Sequence, residues 1–235
     1  MSTNPKFDIL TPDNCQLIII DHQPQMAFSV ASIDRQILKN NVVMLAKAAK
    51  LYGLPTTITT VETESFSGYT YPEVLEVFPD QPILERTSLN SWDDQKVRDV
   101  LSKSGRKKVI VAGLWTGICN TMFSLSAMDE GGYEIYMVDD ASGDTSVAAQ
   151  SYSMQRLIQA GVVPVTTIQV ALELQRDWAR RETYDELMAI FKEHGGGYGM
   201  GIDYSYTHVH KGPARVSGGP VLDPVPAEKS PAAAE

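Results

Sequence analysis

Short apolar runs rich in β-branched residues alternate along this chain with longer stretches in which apolar residues recur every three or four positions. The short runs fall at 16–20, 55–61, 82–85, 108–113, 134–138 and 162–167. They are continuously apolar and bounded by Gly, Pro or Asp, which is the pattern of strands covered on both faces. Between them the period changes to that of helices. Asp34 is placed to cap a helix whose inward positions include Ile37, Leu38, Val42, Leu45 and Ala49, with Gly53 closing it. Further helices are predicted from Trp92 or Asp93 to Ser102, from Gly117 to Glu130 before Gly131-Gly132, over 147–160 before Gly161, and onward from Ile168. A last one, over 183–193, is amphipathic through Tyr184, Leu187, Met188 and Phe191. Strand–helix alternation repeated in this way predicts an α/β chain, a three-layer α/β/α sandwich around an open, mostly parallel, doubly wound sheet.

From Gly195 the pattern is lost and the chain becomes rich in Gly and Pro. The expected organisation is one domain over 1–194 and an arm over 195–235, flexible or packed on a neighbouring subunit. Tyr198, Ile202, Tyr204 and Tyr206 suit such packing. Of the 235 residues 43% are hydrophobic, slightly low for one domain, which fits an arm outside the core.

Charge narrows the function classes. Lys and Arg number 20 against 29 Asp and Glu, a formal net charge of −9 with no basic block. That argues against nucleic acid, whose binding rests on Lys and Arg neutralising phosphates, and it disfavours anionic membrane surfaces. The two cysteines, Cys15 and Cys119, are too few for a disulfide scaffold. With no signal-like start and no apolar run near the ~20 residues of a membrane helix, the expectation is a soluble cytoplasmic protein with reduced thiols.

In an open parallel sheet ligands bind beyond the carboxyl ends of the strands, so residues just after each strand are the candidates. Asp21-His22-Gln23, Glu62, Glu64, Arg86 and the stretches 114–119 and 139–143 occupy those places. Cys119 follows a strand in the first turn of a predicted helix, with Thr116 as its cap. There the free backbone N–H groups and the helix dipole act to lower a thiol's pKa and can hold an oxyanion. The alternative for Cys119 is a small buried hydrophobe. Asp21 either caps a helix or takes a proton. Its neighbour His22 points the other way by strand alternation. Arg86 either stabilises a thiolate or pairs with Glu85 on the surface. His208 and His210 read as tail residues. No GxGxxG, GxxxxGK[ST], HExxH or CxxC is present.

These pieces together, LIIIDHQ, a charged residue after the third strand and VAGLWTGICN, resemble the isochorismatase-like cysteine hydrolases from about Asn14 to Trp178. VETE, FPDQPILERTSLNSWDD, LSAMDEGGYEIYMVDDASG and ALELQRDW resemble the YcaC-type branch in particular. The resemblance implies an isochorismatase-like, Rossmann-like sandwich and an Asp–Lys–Cys triad acting on small amides or related C–N bonds; the Asp/His cluster of the superfamily's metal-dependent nicotinamidases finds no match here, so no metal and no cofactor are expected. Carried over, Asp21 is the base, Cys119 the nucleophile, and the Lys position falls at Arg86, which keeps the charge but does not shuttle a proton. The resemblance also implies a cis peptide at Trp115–Thr116 and an oxyanion hole from Trp115, Thr116 and Cys119. Gln23, Glu62, Phe66, Trp92 and Trp115 are the expected substrate pocket. A homo-oligomer, tetramer or octamer, is expected. Two other readings stand beside hydrolysis of a small-molecule substrate: a catalytically idle ligand-binding or assembly module, and a thiol redox sensor using Cys119.

Overall fold

The structure, a computed structural model, describes residues 7–209. Six strands, β1 (Cys15–Ile20), β2 (Thr56–Val61), β3 (Ile83–Arg86), β4 (Lys108–Gly113), β5 (Glu134–Val138) and β6 (Val163–Val165), form one sheet in the order β3-β2-β1-β4-β5-β6. Every pairing is parallel. The chain steps outward from β1 to β3, returns past β1, and steps outward again from β4 to β6. The two directions part between β1 and β4, so the loops leaving these neighbours diverge and open a crevice at their carboxyl ends.

Alternation along β1 explains the layers. Leu17 and Ile19 face a core completed by α2 (Arg35–Leu51), α3 (Pro72–Val77) and α7 (Thr167–Gln175). Ile18 and Ile20 face the opposite core, built with α4 (Gln95–Lys103), α5 (Thr121–Asp129) and α6 (Val147–Ala160). A strand covered on both sides shows no alternation of apolar and polar faces; β1 and β4 are apolar at most positions, while β2 buries four Thr among its six residues. Asp34 caps α2 as expected, accepting from the N–H groups of Gln36 and Ile37 at 2.9 and 3.0 Å.

Short elements were not legible in the periodicity. α1 (Pro24–Phe28) and α3 are five and six residues long, less than two turns, and so carry no readable repeat. The larger correction concerns the arm. α8 (Arg181–His194) is followed by α9 (Gly197–Tyr204), which packs back on α8 of the same chain. Tyr198 meets Phe191 ring to ring at 5.3 Å, and Lys192 pairs with Asp203 at 2.6 Å. A Cβ on Gly199 would lie 2.2 Å from the Phe191 carbonyl oxygen, so the glycines that read as flexibility permit a close helix crossing. Ile202 is buried in a third cluster with Met44, Leu187 and Phe191, and the Tyr206 hydroxyl lies 2.7 Å from that of Tyr184. The folded unit therefore continues past 194 to at least 209. His208 stacks on Tyr204, with centroids 4.8 Å apart. His210 and the rest of the expected arm lie outside the described residues. Among the described residues no helix is long and apolar enough to cross a membrane.

Candidate active site

At the carboxyl ends of β1, β3 and β4 the structure brings together Asp21, Arg86 and Cys119, which are 0%, 5% and 1% exposed. Arg86 is the last residue of β3, and its guanidinium forks onto Asp21: Nη1 donates to Oδ1 at 2.8 Å and Nη2 to Oδ2 at 2.7 Å. Nη1 also donates to the Thr60 carbonyl at 3.0 Å, which fixes the plane of the fork. Thr59 adds a hydroxyl bond to Asp21 Oδ1 at 3.2 Å, and the Cys119 thiol donates to the same carboxylate. Thr59 was missed in the sequence because a Thr inside an apolar run reads as a strand former.

Asp21 adopts a left-handed backbone with φ +55°, directly beyond the last residue of β1. Strand alternation stops there. His22 leaves in another direction, its Nε2 bonded to the Ala141 carbonyl at 2.9 Å. Burial drives the His22 pKa down to about 4, so the ring is neutral and not a partner for the thiol. The expectation that Asp21 and His22 serve different faces is met by these contacts.

Burial raises the Asp21 pKa, opposed by the charge and hydrogen bonds of Arg86 and the bonds from Cys119 and Thr59. A carboxylate with raised proton affinity is a better base. The Cys119 thiol is likewise pushed up to about 12, by burial first and then by the Asp21 charge, with Arg86 and the Trp115 N–H acting the other way. This corrects the expectation of a thiol acidified by a helix N-terminus: desolvation and a carboxylate at contact outweigh backbone dipoles. The resting sulfur is protonated, and its hydrogen-bond partner is the Asp21 carboxylate.

The turn that carries Cys119 also departs from expectation. Residues Thr116–Asn120 form one wide turn leading into α5, and Trp115, not Thr116, is its first flanking residue, with no side-chain cap. The cis peptide is Leu114–Trp115, one bond before the expected Trp115–Thr116; residue spacing does not distinguish the two. Thr116 is not available to an oxyanion, because its N–H donates to the Gly143 carbonyl at 2.9 Å. The N–H groups of Gly113 and Leu114 are engaged by Ser142 Oγ at 3.2 Å and the Ile20 carbonyl at 3.0 Å. Gly117 donates to Asp144 Oδ2 at 2.7 Å, and Ile118 and Asn120 donate to the Trp115 carbonyl at 3.1 and 3.4 Å. The N–H groups of Trp115 and Cys119 take no part in these loop bonds, and that of Trp115 meets the Cys119 sulfur.

The expected pocket residues separate. Gln23 is fully buried and spends its amide on backbone, donating to Val61 and Gly68 carbonyls at 3.0 and 2.5 Å and accepting from Val61 N–H at 3.0 Å. It ties the loop after β2 to the loop after β1. Trp92 lies in the α5-side core, edge-on to Phe123 and Tyr133, with its N–H on Glu130. Trp115 hangs on the Met26 carbonyl through its indole N–H at 2.9 Å. Glu62, half-buried with φ +49°, and Phe66, exposed, stand beyond the end of β2. Cys15, by contrast, is sealed at the other end of β1, its pKa pushed to about 12 chiefly by burial.

Comparison with known proteins names the family. Residues 15–169 match the model of the isochorismatase domain. The chain is 34% identical over 186 residues to the probable hydrolase YcaC of Escherichia coli K12, covering 79% of this chain and 88% of that protein. The crystal structure of the E. coli YcaC gene product, described as an octameric hydrolase of unknown specificity, superposes with a TM-score of 0.82 at 32% identity, covering 88% of this chain and all of that one. YcaC from Pseudomonas aeruginosa, solved with hexane-2,5-diol and covalent acrylamide, superposes with a TM-score of 0.79 at 30% identity, covering 83% of this chain and 96% of that one. The sheet order, the carboxylate–guanidinium–thiol cluster at its switch point and these matches place the chain in the isochorismatase family, in its YcaC-type branch.

Proposed function

We propose that this hydrolase cleaves a small amide or related C–N bond through a thioester on Cys119, with Asp21 as base and Arg86 as its fixed counter-charge. The carrying observation is the buried contact between a protonated thiol and a carboxylate of raised proton affinity. In the first step Asp21 takes the thiol proton while the sulfur bonds to the carbonyl carbon, and the C=O pair moves onto oxygen. The N–H groups of Trp115 and Cys119 hold that oxyanion. As the C=O reforms, the amine leaves and takes the proton from Asp21. Water, deprotonated by Asp21, then attacks the thioester, releases the acid and restores the thiol. Arg86 stays charged throughout and keeps Asp21 in one orientation.

Covalent acrylamide in the Pseudomonas YcaC is consistent with a reactive nucleophile in this branch. A redox sensor needs an accessible thiolate, and a buried thiol with a pKa near 12 disfavours that reading. Replacing Lys by Arg in the triad is the one feature that favours an idle module. A screen of small amides for ammonia release decides between them: turnover is expected in the wild type and is expected to fall by about 10⁴-fold or more in Cys119→Ala. Turnover that survives in Cys119→Ala ends the thiol mechanism. The octameric E. coli relative supports a homo-oligomer here as well. Sedimentation at 25.8 kDa in the micromolar range would refute it.

A further inference from the structure

We propose that Asp144 is a positioning residue for this reaction: its carboxylate removes the Gly117 N–H from the turn, so that Trp115 and Cys119 present the oxyanion pair. The inference rests on the thiol-hydrolase reading above.

The bond from Gly117 to Asp144 Oδ2, at 2.7 Å, is the shortest of those that engage backbone N–H groups between Gly113 and Asn120, and the one whose acceptor carries a charge. Asp144 is 4% exposed, and it is held from several directions. Its Oδ1 accepts from Thr145 N–H at 2.7 Å, and its own N–H donates to Ser32 Oγ at 2.9 Å. Its carbonyl accepts from the N–H groups of Ala31 and Ser32 at 2.9 and 3.2 Å. One residue thus pins the loop before α2, the loop after β5 and the Cys119 turn to each other.

Position 117 is matched to it. A Cβ there would lie 2.7 Å from Ser153 Oγ and 2.8 Å from Asp144 Oδ2, so any side chain at 117 would displace the carboxylate. Without the carboxylate, Gly117 N–H is a donor without a partner two residues before the sulfur. The turn then satisfies it by rotating, and rotation re-aims the neighbouring N–H of Cys119.

The test needs a probe whose carbonyl oxygen gains electron density at the oxyanion site as sulfur adds, and one whose reacting carbon is saturated. Propionaldehyde adds the Cys119 S–H across its C=O: sulfur bonds to the carbonyl carbon, the π pair goes to oxygen, and the thiol proton ends on that oxygen. The hemithioacetal protects Cys119 from iodoacetamide, which reacts by displacing iodide at a saturated carbon. Alkylation of Cys119 is followed by mass spectrometry, with and without aldehyde, in wild type, Asp144→Ala, Asp144→Asn and Gly117→Ala. In Asp144→Ala the aldehyde concentration that halves alkylation is expected to rise about tenfold or more, while the alkylation rate itself moves less than about threefold. Asp144→Asn keeps one acceptor for the two N–H donors of Gly117 and Thr145, so its half-protection concentration is expected to fall between those of wild type and Asp144→Ala. Gly117→Ala is expected to follow Asp144→Ala, and it decides the matter if Asp144→Ala does not fold. Unchanged protection, an equal fall in protection and alkylation, or a wild-type Cys119 that alkylates but is never protected overturns the role of Asp144. A wild-type Cys119 inert to iodoacetamide overturns the role of Asp144 and, with no ammonia released in the amide screen, the thiol reading itself.

Discussion

Arg86 and Lys108 are both buried cations, at opposite ends of the same parallel sheet, and they are stabilised differently. Lys108 opens β4 with a side chain 6% exposed, and it pairs with Glu134 and Asp8, whose side chains are 34% and 32% exposed. Burial pulls its pKa down, but hydrogen bonds to Glu134 and Tyr136 and their charges hold it above the ordinary value. Water still reaches both acids, so the positive charge is shared with solvent. Arg86 closes β3, and its one carboxylate partner, Asp21, has a side chain 0% exposed. Neither side chain of that pair is more than 2% exposed. The protonation of Asp21 therefore depends on Arg86 and on the thiol beside it, which is what a proton-transfer pair requires. Burial of a charge is common to both ends; only at the carboxyl end is it coupled to a thiol.

The largest effect that would sharpen this contrast is on turnover. Asp21→Asn is expected to lower ammonia release by about 10³-fold, while Glu134→Gln at the other end changes it less than about twofold. Comparable losses would mean that both clusters serve the fold alone. Next comes stability. Arg86→Met strands a dry carboxylate and is expected to cost about 3–5 kcal/mol in urea unfolding, against about 1 kcal/mol for Lys108→Met, whose partners rehydrate. Equal costs would break the comparison.

His22 gives a third case at the carboxyl end, a buried titratable ring with no ionic partner. Its folded pKa, about 4, lies below the ordinary 6.5, so an unfolded chain takes up the proton first as pH falls. Its stabilisation is complete above pH 6.5 and is lost as pH falls toward 4. Between pH 7 and 4.5 the wild type is expected to lose roughly 2–3 kcal/mol more than His22→Gln, read as the difference between their urea curves. Parallel curves would show that His22 is already hydrated. The smallest effect is from salt. Sodium chloride at about 1 M is expected to remove a few tenths of a kcal/mol from the Lys108 contribution and to leave that of Arg86 unchanged.

The strand runs and the capped helix from Asp34 were legible because each is written in local period and in boundary residues, and their alternation implied a doubly wound parallel sheet without fixing its strand order. Asp21, Arg86 and Cys119 were legible as candidates because chemistry after a buried strand has no packing use. Trp92 and Gln23 looked like pocket residues in the chain, yet one fills a core and the other ties two loops, since an aromatic or an amide carries no mark of which way it faces. Asp144 carried no signal at all: it stands in a polar stretch, DDASGDTS, where any carboxylate passes for a solvated loop residue. Its partner, Gly117, lies 27 positions away. The glycines after His194 misled in the other direction, because the same missing Cβ serves a mobile arm and a close helix crossing.

By itself, then, the sequence determined the six strand runs and the longer helices between them, that the sheet is covered on both faces, and which three residues stand at its carboxyl edge. Those properties follow from spacing and apolarity over a few neighbouring residues. Only the tertiary structure decided that the thiol rests protonated, that Thr116 is spent on Gly143 and that Asp144 holds Gly117. Each of these depends on how much water remains between groups that are distant in the chain, and desolvation is set by packing and not by composition.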